Sequence, residues 1–131
     1  MPDGKQVLEL LPKTFAVAQL APETALPDWA LSGGFGSITR TADELSIVCE
    51  EAAVPAEVHA ERGLRCLRVA GPLAFELVGV LESIARPLAA AGVSIFAVST
   101  YDTDYLLVQS ADLDSALDAL SAAGHSIRRI R

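Results

Sequence analysis

Residues 99–104 read STYDTD, which places two carboxylates and four hydroxyl-bearing side chains on a single short turn. A plain hairpin turn is served by Asn-Gly or Asp-Gly. The D-x-D pair Asp102 and Asp104 is the sharpest chemical feature, because paired carboxylates can hold a divalent cation. Hard cations recruit additional oxygen ligands, and no neighbouring acidic cluster offers them, so no metal is expected. Asp102 is assigned to the bend, which Asp commonly stabilises through its own backbone. Asp104 has two readings: it caps the hairpin, or its carboxylate faces a ligand ammonium.

The second chemistry-bearing stretch is GPLAFELVGVLESIA, residues 71–85. A glycine just inside a helix start, Gly79, weakens the helix unless its backbone must be approached closely. The N–H groups around Val80 and Leu81 would then face whatever approaches, and a carboxylate is the natural guest of a helix N-terminus. If the first helix packs across the sheet, Gly79, Val80 and Leu81 face Ser99, Thr100 and Asp104. Amide donors on one side and a carboxylate on the other complement a free α-amino acid. The plainer alternative stays open: Gly79 only lets helix pack on strand, and Asp104 only closes the turn.

Other chemistry is weakly supported. His59 falls in a loop, and His125 lies just past a helix end, where a cation is favoured by the helix dipole. Ser94, Ser99 and Ser110 lack a G-x-S-x-G setting. There is no GxxxxGK or GxGxxG motif, and GGFG at residues 33–36 reads as a flexible turn. No catalytic residue and no cofactor are expected.

The elements that must position these groups are legible in the second half. Residues 64–70, LRCLRVA, alternate apolar and basic residues as a strand does, and Gly71-Pro72 breaks it. Val80, Leu81, Ile84, Leu88 and Ala91 recur at helical spacing and predict a helix over residues 76–91, loosened by Pro87 and capped by Gly92. VSIFAVS and DYLLVQ flank the polar turn as strands. LDSALDALSAAG predicts a second helix with Asp112 as N-cap and Gly124 as closing residue, and HSIRRI a last strand. The order is the ferredoxin-like βαββαβ arrangement, with both helices on one face of the sheet. The central strands are apolar on both faces, which predicts that the first half of the chain or a second copy covers the exposed side.

The first half reads as strand and loop. VLELL and TFAVAQL, separated by Pro12-Lys13, and SITRT and LSIVCEE, separated by ADE, predict two hairpins. Trp29 falls in a short helical piece within a Pro- and Gly-rich loop, and a second loop precedes residue 64. This β-rich lobe has a thin core and is expected to dock on the second half.

Bulk properties bound the partners. The 131 residues suit one compact domain or two small ones sharing a core, and 51% hydrophobic content excludes disorder. A net charge of −7 argues against nucleic acid and anionic membrane as partners. No apolar run has the length of a membrane span, MPDGKQ does not open a secretory signal, and Cys49 and Cys66 lack metal-ligand spacing. The chain is expected to be cytoplasmic, with both thiols reduced and buried.

The residues GPLAFELVGVLESIARPLAAAGVSIFAVSTYDTDYLLV resemble the signature of the ACT-domain family, in the subgroup similar to the ACT repeats of aspartate kinases and of the cytosolic arginine sensor of animals. The match covers residues 64–131, and the S-T-x-x-T-D turn is its most specific part. SITRTADELSIVCEE is similar to the segment that precedes it. The resemblance implies an α+β fold, with an ACT domain at residues 64–131 and a smaller, degenerate ACT-like lobe at residues 1–63. It also implies amino-acid binding without chemistry by the module itself, through Gly79, Val80 and Leu81 on one side and Thr100, Tyr101, Thr103 and Asp104, beside Ser99, on the other. The expected protein is a non-catalytic regulatory module with a free amino acid as ligand, associating as a homodimer. The alternative is an assembly module without ligand.

Overall fold

The structure is a computed structural model that describes residues 5–71, 73 and 79–131. Two compact units are present: the N-terminal residues through Pro12 with Arg65–Arg131, and Lys13–Leu64. Strands β1 (Val7–Leu20) and β4 (Ala60–Val69) contribute residues to both.

In the larger unit the remaining elements are α1 (Val80–Ala90), β5 (Phe96–Ser99), β6 (Asp104–Gln109), α2 (Leu113–Ala122) and β7 (Ser126–Arg129). The ferredoxin-like order of strands and helices is present, in a mainly antiparallel sheet. One strand is added. In the simple arrangement the last strand lies beside the first, whereas here β1 stands between β4 and β7. Residues Val7 to Leu10 pair in parallel with Ser126 to Arg129. On its other side β1 runs against β4 in the opposite sense: Val7 O accepts from Ala70 N–H at 2.8 Å, and Leu11 O accepts from Arg65 Nη2 at 3.2 Å.

Alternation along β1 explains its placement. Leu8 and Leu10 enter the core, while Glu9 points to the opposite face. There Glu9 Oε1 meets Arg68 Nη1 at 2.6 Å, and Oε2 meets Arg128, so one carboxylate ties three strands. These guanidinium bonds, to Arg128 first and then Arg68, hold the Glu9 carboxyl below its ordinary range. The core itself is formed by Leu8, Leu10, Leu67 and Val69 with Ile84 and Leu88 of α1, Leu106 and Val108 of β6, and Leu113, Ala116 and Leu120 of α2. Both helices end as the glycines predict. Gly92 has φ +76° with Val93 N–H on Leu88 O at 2.9 Å, and Gly124 has φ +97° with His125 N–H on Leu120 O at 3.0 Å.

Four sequence expectations are corrected. Pro12-Lys13 does not divide two hairpin strands: β1 is continuous, with Pro12 between the stretch paired to β7 and the stretch paired to β3 (Leu45–Glu50), so its missing N–H is lost from neither ladder. The central hairpin is not buried on both faces throughout. Leu106, Leu107 and Val108 are buried, but β5 lies at the sheet edge with Phe96 41% exposed and Ala97 also exposed. Asp112 makes no side-chain cap bond; a 3-10 turn, Ser110–Asp112, leads into α2 instead. Helix α1 begins at Val80, and residues 76–78 lie outside those described.

The smaller unit is β-rich. Strand β2 (Ser37–Arg40) pairs antiparallel with β3, as predicted, and Phe15 to Leu20 of β1 pair with β3 on its other side. Thr41 closes the β2–β3 turn, its Oγ1 accepting from Asp43 N–H at 3.1 Å and Glu44 N–H at 3.2 Å. Trp29 lies in a 3-10 turn, Asp28–Leu31, and the core gathers Ala16, Ala18, Ala30, Leu45, Ile47 and Cys49. Both cysteines are free and buried. Among the described residues no helix is long and apolar enough to cross a membrane.

Candidate functional site

A cavity of about 320 Å³ opens where the N-terminal end of α1 meets the β5–β6 turn. That volume falls at the lower end of the range for small-molecule sites. Gly79, Val80, Leu81, Ser99, Thr100, Tyr101, Thr103 and Asp104 all line it, so the two sequence stretches singled out above share one cavity.

The helix side is built from backbone. Gly79 is the N-cap with φ +86° and ψ 0°, and it has no side chain with which to cap α1. An added Cβ would meet nothing within 4 Å among the described residues, so it is the left-handed backbone that favours glycine there. The first bond of the helix runs from Ser83 N–H to Gly79 O at 2.9 Å. The amides of Val80, Leu81 and Glu82 precede it and find no acceptor among the described residues.

The turn side is held by threonines, not by Asp102. Thr100 N–H donates to Thr103 O at 2.8 Å, and Thr103 N–H returns to Thr100 Oγ1 at 3.2 Å. Asp102 contributes its carbonyl, which accepts from Leu73 N–H at 2.8 Å, while its side chain makes no hydrogen bond among the described residues. Thr103 is 4% exposed and donates its hydroxyl to Val69 O at 2.7 Å, pinning the turn to the end of β4. Its hydroxyl is thereby committed to the fold. Ser99 Oγ donates to Asp104 Oδ1 at 2.6 Å, and Tyr101 stands 80% exposed at the rim.

Three lining residues escape the sequence reading. Leu73 and Glu82 face the same cavity, as does Asp102, which in sequence reads as bend only. Glu82 is bound by Arg86 one helical turn on, with Nε 2.8 Å from Oε2; the i, i+4 spacing of opposite charges signals this pair. Gly71, a strand breaker by sequence, is where the backbone approaches closely. A Cβ there would lie 3.2 Å from Thr103 Cβ and 3.3 Å from Asp102 O. Among the described residues the charged side chains of the cavity are all acidic: Glu82, Asp102 and Asp104. The arrangement offers amide donors to an anionic group and carboxylate acceptors to a cationic one.

His125 is 5% exposed and stands apart from the cavity. Its Nδ1 accepts from Gln6 N–H at 2.9 Å and its Nε2 lies 2.9 Å from Ser83 O, the pattern of an uncharged ring and not of a cation serving a helix dipole.

Fold and cavity together define a small α+β module of the ferredoxin-like class. The family model of the ACT domain matches residues 59–122, and a second family model, for an N-terminal domain, matches residues 13–57. The chain belongs to the ACT-domain family. It is similar along its whole length to a protein of Agobacterium tumefaciens solved by X-ray crystallography, with 43% identity, a TM-score of 0.92, and 100% of this chain and 96% of that one covered. The regulatory subunit of aspartate kinase from Thermus thermophilus shares the fold at 10% identity and a TM-score of 0.58, over 86% of this chain and 93% of that one. The human cytosolic arginine sensor for mTORC1 subunit 1 is 39% identical over 57 residues, which are 43% of this chain and 17% of the sensor. The chain thus spans 17% of the length of that curated relative.

Proposed function

We propose that the protein is a non-catalytic regulatory module that binds a free α-amino acid in the α1–turn cavity. The observation that carries this reading is the pairing of the Val80 and Leu81 amides, which find no acceptor among the described residues, with the Asp104 carboxylate across one cavity. The amides take the ligand carboxylate, and Asp104 takes the ammonium. Thr100 and Tyr101 border the space between them, and Thr103 holds the turn in shape. Relatives named for aspartate kinase regulation and arginine sensing support the same class of ligand. The ACT domain is assigned to residues 64–131 and the degenerate lobe to residues 1–63. The protein acts in the cytoplasm without a cofactor.

Thermal unfolding in the presence of each amino acid in turn tests the reading. A ligand that binds only the folded state adds about 2.7 kcal/mol of stability at a hundredfold excess over its Kd, and so raises Tm. Silence across the whole set would defeat it.

A second reading is favoured by β5, an edge strand with Phe96 41% exposed and Ala97 also exposed. In this reading the module assembles through that apolar edge as a closed homodimer. Sedimentation at high micromolar concentration should then give a dimer, and a monomer would oppose it.

A further inference from the structure

Pro87 lies inside α1 and has no N–H, so the carbonyl of Ser83, four residues earlier, has lost its helical donor. His125 fills that vacancy from outside the helix. A carbonyl oxygen only accepts, so the 2.9 Å contact with Ser83 O places the ring proton on Nε2. The bond from Gln6 N–H to Nδ1 at 2.9 Å requires the same tautomer. Two independent contacts therefore agree on one ring state.

The ring also joins three pieces of chain. Gln6 leads into β1, Ser83 belongs to α1, and His125 sits between α2 and β7. The backbone around it is fixed: His125 N–H donates to Leu120 O at 3.0 Å, and Ser126 N–H to Gln6 O at 2.9 Å. The side chain of Lys5 packs against Gly124 beside it, within 2.7–3.3 Å of where a Cβ would stand.

We infer that His125 stands in for the amide that Pro87 lacks, and thereby sets the position of α1 and of its cavity-facing first turn. It is a positioning residue that touches no atom of the cavity. A histidine serving only to fill volume would be indifferent to what occupies position 87. What α1 is positioned for rests on the amino-acid reading above, and the tests below use no ligand, so the two fail separately.

The test is a double-mutant cycle on the full chain. His125→Leu should lower Tm by at least about 5 °C. In a Pro87→Ala background the drop should be roughly half as large, because the backbone N–H restored at that position then serves Ser83 O and only the Gln6 bond is lost. Equal drops in the two backgrounds would overturn the inference. In folded His125→Leu, the amide NMR signals of Leu81 and Glu82 should move; unmoved signals would overturn the positioning claim. Should His125→Leu not fold, ring ¹⁵N correlations of the unmodified protein decide. A proton on Nε2 is expected, and a proton on Nδ1 or a doubly protonated ring at neutral pH would contradict it.

Discussion

Ser99 Oγ donates to Asp104 Oδ1 at 2.6 Å, between residues that face each other as the last cross-strand pair of β5 and β6. The bond orients the carboxylate and leaves Oδ2 without a hydrogen bond among the described residues. Ser99→Ala should therefore weaken amino-acid binding by roughly 2–10-fold, the range set by one ordinary hydrogen bond of about 0.5–1.5 kcal/mol. Calorimetry on the variant checks this, and undiminished affinity would mean that Asp104 needs no orienting partner.

Gly79 makes a separate test of the opposite wall. Its φ is +86° and no atom of the described residues lies within 4 Å of where a Cβ would sit, so Gly79→Ala is expected to strain the backbone. The expected loss is about 1–2 kcal/mol of stability in denaturant unfolding, with unchanged m-value. A neutral result would show that the cap relaxes to another conformation at no cost.

The cavity was legible because two local signals were unusually polar for their settings: the STYDTD turn between apolar strands, and a glycine at a helix start. The order of elements from β4 to β7 followed from hydrophobic periodicity and from glycines at helix ends, both local properties. What the sequence hid was non-local. Nothing in VLELLPKTFAVAQL tells that β1 is one strand lying between β4 and β7, because pairing partners are chosen by the rest of the chain. Pro12 signalled a break because its missing N–H matters only if that position pairs. Likewise Asp102 looks like the bend residue, since the competing contribution of Thr100 depends on how the turn meets Leu73 and Val69. His125 misleads for the same reason: its partners lie 42 and 119 positions away.

Glu9 predicts an acid sensitivity. Bonds to Arg128 and Arg68 lower its pKa from 4.5, so its stabilising contribution is present above the unfolded-state value. That contribution is lost as pH falls through the lowered folded-state pKa. Glu9→Gln should be less stable than the unmodified protein at neutral pH, and the gap in Tm should close on acidification below 4.5. A gap that stays constant into acid would contradict the assignment.

Burial pushes the Cys66 thiol up from 9.0 to about 12, and burial with the nearby Glu50 charge also raises Cys49. Both thiols should resist iodoacetamide at pH 8 in the folded protein and react on unfolding, as read by mass spectrometry. In alkali the same groups destabilise the fold. The unfolded chain ionises Cys66 first, so stability falls as pH climbs from 9.0 toward about 12. Rapid native labelling of either thiol would show that its burial is breached.

The central claim is that Asp104 receives a ligand ammonium, and titration calorimetry of free amino acids into the unmodified protein, Asp104→Asn and Asp102→Asn tests it most directly. A charge-assisted hydrogen bond contributes roughly 1.5–3 kcal/mol, so the Asp104 variant should lose about one to two orders of magnitude in affinity. The exposed Asp102 carboxylate is expected to contribute little, leaving its variant near the unmodified protein. Saturable binding with loss confined to Asp104→Asn is the predicted result; no binding by any amino acid, or equal affinity in the Asp104 variant, would contradict it.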